Sequence, residues 1–209
     1  GGSVAYNEKQ CIADAEKAIK DGFDGFKMRC GFQAFEKDIS RVKEVFNFIE
    51  SNKTKNNFRL MIDFIQGTIY PKLNHEKLKE YLKFFRNFDI FWFEESLDPD
   101  NVVLYENFDK ELISNFSLGE SFTSFNEYFA YRNIVNIFQI DVTHLGGFVE
   151  AAKVLNYFSK KDNNKLFTSH VWGSKLSLLL NLAIFKACNL IEWFEVPLLS
   201  FELNNHLFQ

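Results

Sequence analysis

Two segments with the same grammar constrain the fold of this chain most. Ile137-Phe-Gln-Ile-Asp141-Val-Thr-His-Leu-Gly-Gly147 and Phe167-Thr-Ser-His170-Val-Trp-Gly-Ser174 are each a short apolar run that ends in a polar residue and enters a Gly-containing turn. Between them apolar residues recur at helical spacing: Val149, Ala152, Val154, Leu155 and Phe158. The pattern predicts strand, helix, strand, the unit that builds parallel sheets. In parallel α/β folds ligands and chemistry gather at the C-terminal ends of the strands. Asp141 and His170 are therefore expected on neighbouring strands, the carboxylate orienting the imidazole.

The grammar repeats. Phe58-Arg-Leu-Met-Ile-Asp63, Ile90-Phe-Trp-Phe-Glu94-Glu95 and Phe116-Ser-Leu-Gly-Glu120 each end in acid, and Gly25-Phe-Lys27-Met-Arg29 ends in bases. Helical periodicity fills the intervals, over Asn7–Asp21 (Ile12, Ala15, Ile19), Phe35–Ser51, Glu76–Asn87, Val102–Ile113, Asn126–Asn133 and Lys175–Lys186. A last strand is expected over Leu190–Glu195, with Glu192 inside it. The sum is about seven strands joined by helices, and no Gly-rich dinucleotide or phosphate-loop motif is present. The expected fold is α/β, a TIM-like barrel. Such barrels typically need about 250 residues. This chain has 209, with its first strand expected at or before Gly1, so the expectation is one barrel domain over 1–209, truncated at both ends.

Composition narrows the partners. A net charge of -4 gives no reason to expect nucleic acid or an anionic membrane. The most apolar run, Leu176 to Ile191, holds Asn181, Lys186 and Asn189, and reads as a buried helix rather than a membrane span. Cys11, Cys30 and Cys188 are odd in number and lack metal-ligand spacing, so free thiols in a reducing cytoplasm are expected. The 26 Phe are read as core filler and not as a catalytic signal.

If the strands are neighbours, roughly 4.8 Å apart, Asp63, Glu94 and Glu120 can converge on one ion. Three hard oxygen ligands suit Mg²⁺. The competing reading, three ordinary carboxylates beyond strand ends, weakens with each consecutive strand that repeats the pattern. A divalent cation flanked by Asp141 and His170 on one side and Lys27 and Arg29 on the other suits removal of the proton α to a carboxylate. A structural rather than catalytic His170 is the plain alternative.

These residues also carry a resemblance. Lys27-x-Arg29, Asp63, Glu94-Glu95, Gly119-Glu120, Gln139-Ile-Asp141-Val-Thr, Gly146-Gly147-x-x-Glu150-Ala and His170-Val-Trp-Gly-Ser, in this order, resemble the enolase superfamily, specifically its mandelate racemase-like branch. The resemblance implies a (β/α)7β barrel, Mg²⁺ on Asp63, Glu94 and Glu120, and a His170/Asp141 dyad as general base giving an enediolate. It places Glu192 where a carboxylic acid meets the substrate carboxylate, and Lys27 where the first Lys of a Lys-x-Lys pair sits. It implies a small carboxylate substrate and a homo-oligomer at full length.

The chain departs from that pattern in four places. Arg29 replaces a second Lys that serves as the opposite-face base, and Arg is not deprotonated in proteins. Ile65 replaces an Asn after the first metal ligand, in a connection longer than usual. Ser96 replaces a Pro after the paired acids. The N-terminal α+β capping domain of the family is not in this chain. The first departure disfavours two-base racemisation and favours a single base with loss of a β-hydroxyl, an acid-sugar dehydratase, that is, a lyase giving a 2-keto-3-deoxy acid. A racemase or epimerase with the same dyad and a non-catalytic barrel fragment are the alternatives. Muconate cycloisomerase-like chemistry is disfavoured, because Asp141 stands where that branch has a Lys.

Overall fold

The computed structural model describes residues 4–52, 57–69, 74–161, 165–188 and 192–197. It contains two compact units, Gly1–Phe116 and Ser117–Gln209, each with its own run of parallel strands.

In the first unit, α1 (Glu8–Lys20) starts at a capping box. The Asn7 side chain accepts from the Gln10 amide at 3.1 Å and the Gln10 side chain accepts from the Asn7 amide at 3.0 Å. Its buried face is Cys11, Ala15 and Ala18, turned slightly from the expected Ile12–Ala15–Ile19 stripe. Small side chains at this spacing let α1 lie close against α2 (Phe35–Asn52). Strands β1 (Gly25–Arg29), β2 (Arg59–Asp63) and β3 (Ile90–Glu94) are parallel and pair in sequence order. Their register sets Arg29 opposite Asp63 and Asp63 opposite Glu94, so the strand-end residues stand in a row.

After β2 the chain makes a five-residue turn, α3 (Ile65–Ile69), whose backbone is left-handed throughout. Asn74 caps α4 (His75–Phe85) by accepting the Lys77 amide at 2.9 Å. The single helix expected over Val102–Ile113 is two, α5 (Val102–Glu106) and α6 (Lys110–Ile113). The break follows from Asp109, whose side chain accepts the Glu111 amide at 2.9 Å and so starts a new helix.

A buried polar knot fixes the end of β1. Asp38 and Arg41, both on α2, pair at 2.8 Å. Arg41 Nη2 donates to the Arg29 carbonyl at 2.9 Å, and Asp38 Oδ2 accepts from the Gly31 amide at 2.7 Å and from the Tyr81 hydroxyl at 3.0 Å. Burial, then the Asp38 charge, pushes the Tyr81 phenol well up, so it stays a neutral donor. Asp38 accepts from Gly31, Arg41 and Tyr81 and so meets the condition for burial without a large penalty, whereas the buried Nε of Arg41 has no hydrogen-bond partner among the described residues.

The second unit carries β4 (Phe116–Leu118, beginning at the unit boundary), α7 (Phe125–Ala130), β5 (Ile137–Ile140), α8 (Phe148–Lys161), β6 (Leu166–Ser169), α9 (Lys175–Cys188) and β7 (Trp193–Phe194). Consecutive strands from β4 to β7 pair in parallel. α7 is shorter than expected and opens on a Ser124–Glu127 capping box. Phe138 packs on Tyr128, Phe158 and Phe167, the core role expected of the Phe excess.

The three cysteines are free thiols. Among the described residues no helix is long and apolar enough to cross a membrane. Residues 53–56 of the expected polar loop, 70–73 of the connection after β2, and Leu190 and Ile191, which open the expected last strand, lie outside the described residues.

Candidate active site

The first unit gathers two acids and two cations. Glu94 ends β3 fully buried, and Asp63 ends β2 with 4% exposure. Lys27 Nζ lies 2.5 Å from Glu94 Oε1, and Arg29 Nε lies 3.4 Å from Asp63 Oδ2. Trp92 Nε1 donates to the second Glu94 oxygen at 3.2 Å. Alternation explains the grouping: on β1, Phe26 and Met28 are buried among apolar side chains, which puts Lys27 and Arg29 on the opposite face. Burial raises the Asp63 carboxyl, and the nearby Glu94 charge raises it further, against the pull of Lys27.

Asp63 also organises the backbone that follows it. Its Oδ1 accepts the Ile65 amide at 2.7 Å. Glu95, buried with a φ of 39°, receives the Gln66 amide on its carboxylate at 3.1 Å and the Gly67 amide on its carbonyl at 2.6 Å. A left-handed backbone costs an L-residue roughly 1–2 kcal/mol, and Ile65, Gln66, Thr68 and Ile69 all adopt it. Gly67 is where the turn is tightest, since a Cβ there would lie 3.0 Å from the Leu97 carbonyl carbon. Glu95 is the residue the sequence reading passed over. Its only signal was the doubled acid, and its role depends on a turn that no periodicity announces.

The second unit gathers Glu120, Asp141 and His170. β4 stops at Leu118, earlier than expected, and Gly119 at φ +124° carries the chain to Glu120. A Cβ on Gly119 would meet the Gln139 carbonyl oxygen at 2.7 Å, so the approach requires glycine. Asp141 and His170 follow β5 and β6 directly. His170 Nδ1 lies 3.1 Å from Asp141 Oδ2, and Nε2 lies 3.3 Å from Glu120 Oε2.

Asp141 Oδ1 accepts from the Thr143 amide at 2.9 Å, the Thr143 hydroxyl at 2.6 Å and Asn181 Nδ2 at 3.3 Å. Burial works to raise the Asp141 carboxyl, but hydrogen bonds from His170, Thr143 and Asn181 prevail and hold it at about 2. An ionised carboxylate only accepts, so Nδ1 is the nitrogen of His170 that carries the proton facing it.

The expected carboxylate of the last strand is placed differently. Glu192 is exposed and precedes β7, while Glu195 follows it. Ser169 pairs with Phe194 in register, and Ser169 Oγ accepts the Glu195 amide at 3.0 Å. Of the expected strand Leu190–Glu195, Leu190 and Ile191 lie outside the described residues and the described strand is Trp193–Phe194, so the acid at its C-terminal end is Glu195.

Among the described residues no three His, Cys, Asp or Glu side chains form a ready metal cage. The acids of the first unit nonetheless fit a hard divalent cation. They are two register-paired oxygen donors whose proximity already raises one of them, a charge excess that Lys27 and Arg29 offset.

Parallel strands in sequence order, with charged side chains and a His–Asp pair at their C-terminal ends, define an α/β domain of the TIM-like class. A profile for enolase C-terminal domain-like proteins matches residues 10–209. The chain belongs to that family, the enolase superfamily. It is 26% identical to an arabinonate dehydratase of Saccharolobus solfataricus over 98% of this chain and 53% of that one. The 3,6-anhydro-D-galactonate cycloisomerase of Zobellia galactanivorans superposes with a TM-score of 0.78 at 22% identity, covering 96% of this chain and 54% of that one. A dipeptide epimerase of Methylococcus capsulatus, solved with Mg and the dipeptide L-Arg-D-Lys, superposes with a TM-score of 0.77 at 15% identity, covering 91% and 51%. The chain thus spans about half the length of these relatives.

Proposed function

We propose that the full-length protein is a Mg²⁺-dependent acid-sugar dehydratase that removes the proton α to a carboxylate. The observation that carries the reading is the His170 Nδ1–Asp141 Oδ2 contact of 3.1 Å, beside a carboxylate held at about 2. Asp141 keeps the proton on Nδ1, so the substrate proton is taken at Nε2, where Glu120 Oε2 at 3.3 Å stabilises the imidazolium that forms. Asp63 and Glu94, register-paired at the ends of β2 and β3, would hold the cation. When bound, Mg²⁺ supplies positive charge that stabilises the enediolate oxygens.

Arg29 stands where an opposite-face base would sit, and it is paired with Asp63 at 3.4 Å. Arg29 in addition is not deprotonated in proteins. One base therefore acts, and elimination follows naturally. His170 takes the α-proton and returns it to the departing β-hydroxyl, which leaves as water, and the enol becomes a 2-keto-3-deoxy acid. The arabinonate dehydratase relative supports a sugar acid as substrate.

The test is to incubate the full-length protein with Mg²⁺ and a panel of sugar acids in D₂O. Formation of a 2-keto acid supports the proposal. Deuterium entering the α-position without loss of water would replace dehydration by racemisation or epimerisation, and silence across the panel would count against both.

A further inference from the structure

Asn181 sits in the most apolar run of the chain, and the proposed chemistry does not use it. It is fully buried in α9. A buried amide without partners is costly, and every partner of Asn181 that the structure records is polar backbone or a carboxylate. Its Oδ1 accepts the Val142 amide at 2.8 Å. Its Nδ2 donates to Asp141 Oδ1 at 3.3 Å and to the Ser177 carbonyl at 3.0 Å, the latter within its own helix. One side chain thus ties α9 both to the backbone after β5 and to the carboxylate that β5 delivers.

We propose that Asn181 is a positioning residue for the His170/Asp141 pair, acting from α9 by fixing which oxygen of Asp141 faces the imidazole. With Asn181 and Thr143 donating to Oδ1, that oxygen is occupied, and Oδ2 is the one left to His170. The carboxylate plane is then set by contacts on both sides. Loss of the Asn181 donor leaves Oδ1 held only by Thr143, two residues away in the same loop. The Asp141 side chain can then turn, and the Nδ1 proton of His170 loses a fixed acceptor.

This inference rests on the proposed dyad only for its relevance to catalysis. Its test needs neither substrate nor metal, so the two can fail separately. The full-length protein labelled with ¹⁵N-histidine is compared with Asn181→Leu and Asn181→Asp, using His170→Asn to identify the His170 signals. In the wild type the His170 Nδ1 proton should appear as a downfield, slowly exchanging resonance. In Asn181→Leu, which removes both hydrogen-bonding ends, it should be lost or broadened while the other imidazole signals stay in place. Asn181→Asp keeps an acceptor for Val142, loses the donors to Asp141 and Ser177 and sets a second carboxylate beside Asp141, so it should lose the same resonance. An unchanged His170 resonance in either folded variant overturns the proposal. If neither folds, the Asn181 Nδ2 protons of the wild type decide. Slow solvent exchange supports the contact, and exchange as fast as an exposed Asn overturns it.

Discussion

Replacing Asp141 by Asn should flatten the acid limb of the stability profile. The carboxyl falls from an ordinary 3.8 to about 2 in the folded protein, and the residue is 4% exposed. Each tenfold change in proton affinity is worth about 1.36 kcal/mol, so the shift corresponds to roughly 2.5 kcal/mol. A carboxyl with a depressed folded pKa binds protons more readily when unfolded. Its contribution is therefore present above the unfolded value and disappears as pH falls through the folded one. Between about pH 5 and about pH 2 the wild type should lose roughly 2 kcal/mol that Asn at 141 never had. Staying below about pH 5 keeps ordinary imidazole titration out of the comparison. Urea unfolding of both proteins across that range measures the difference, and carboxylates that do not touch the His170/Asp141 pair cancel in it. Parallel profiles, within about 0.5 kcal/mol, would show that the hydrogen bonds from His170, Thr143 and Asn181 do not hold Asp141 down, and the reasoning would fail.

Other outcomes follow from the same geometry. His170→Asn in the full-length protein should abolish exchange of the substrate α-proton, followed by NMR, while calorimetry finds Mg²⁺ binding intact; continued exchange would place the base elsewhere. Glu94→Gln should weaken Mg²⁺ binding by more than about tenfold, since a neutral amide replaces a hard anionic oxygen donor, and calorimetry at fixed ionic strength measures it. Gly119→Ala should cost about 2 kcal/mol or more in urea unfolding, because a Cβ 2.7 Å from the Gln139 carbonyl oxygen cannot be accommodated without moving backbone.

Strand ends were legible because strand chemistry is local. Asp63, Glu94, Asp141 and His170 each terminate an apolar run, and the turn residues after them mark where pairing stops. The helices were legible by period, and the errors fall where a side chain recaptures the backbone, as Asp109 does between α5 and α6. Glu192 was misplaced relative to its strand for a similar reason. Two acids flank Trp193-Phe194, and pattern alone does not say where a two-residue strand begins.

What the sequence by itself determined is the parallel α/β class and the set of chemically capable residues, since apolar periodicity and residue type need no knowledge of distant parts of the chain. Only the tertiary structure decided which of them meet: Lys27 with Glu94, Arg29 with Asp63, and Asn181 on a helix reaching back to Asp141. Those contacts join residues far apart in the chain, and their partners are chosen by register, burial and helix packing, none of which is written in any short stretch of residues. The left-handed turn held by Glu95 belongs to the same category, because backbone strain persists only where surrounding hydrogen bonds outweigh it.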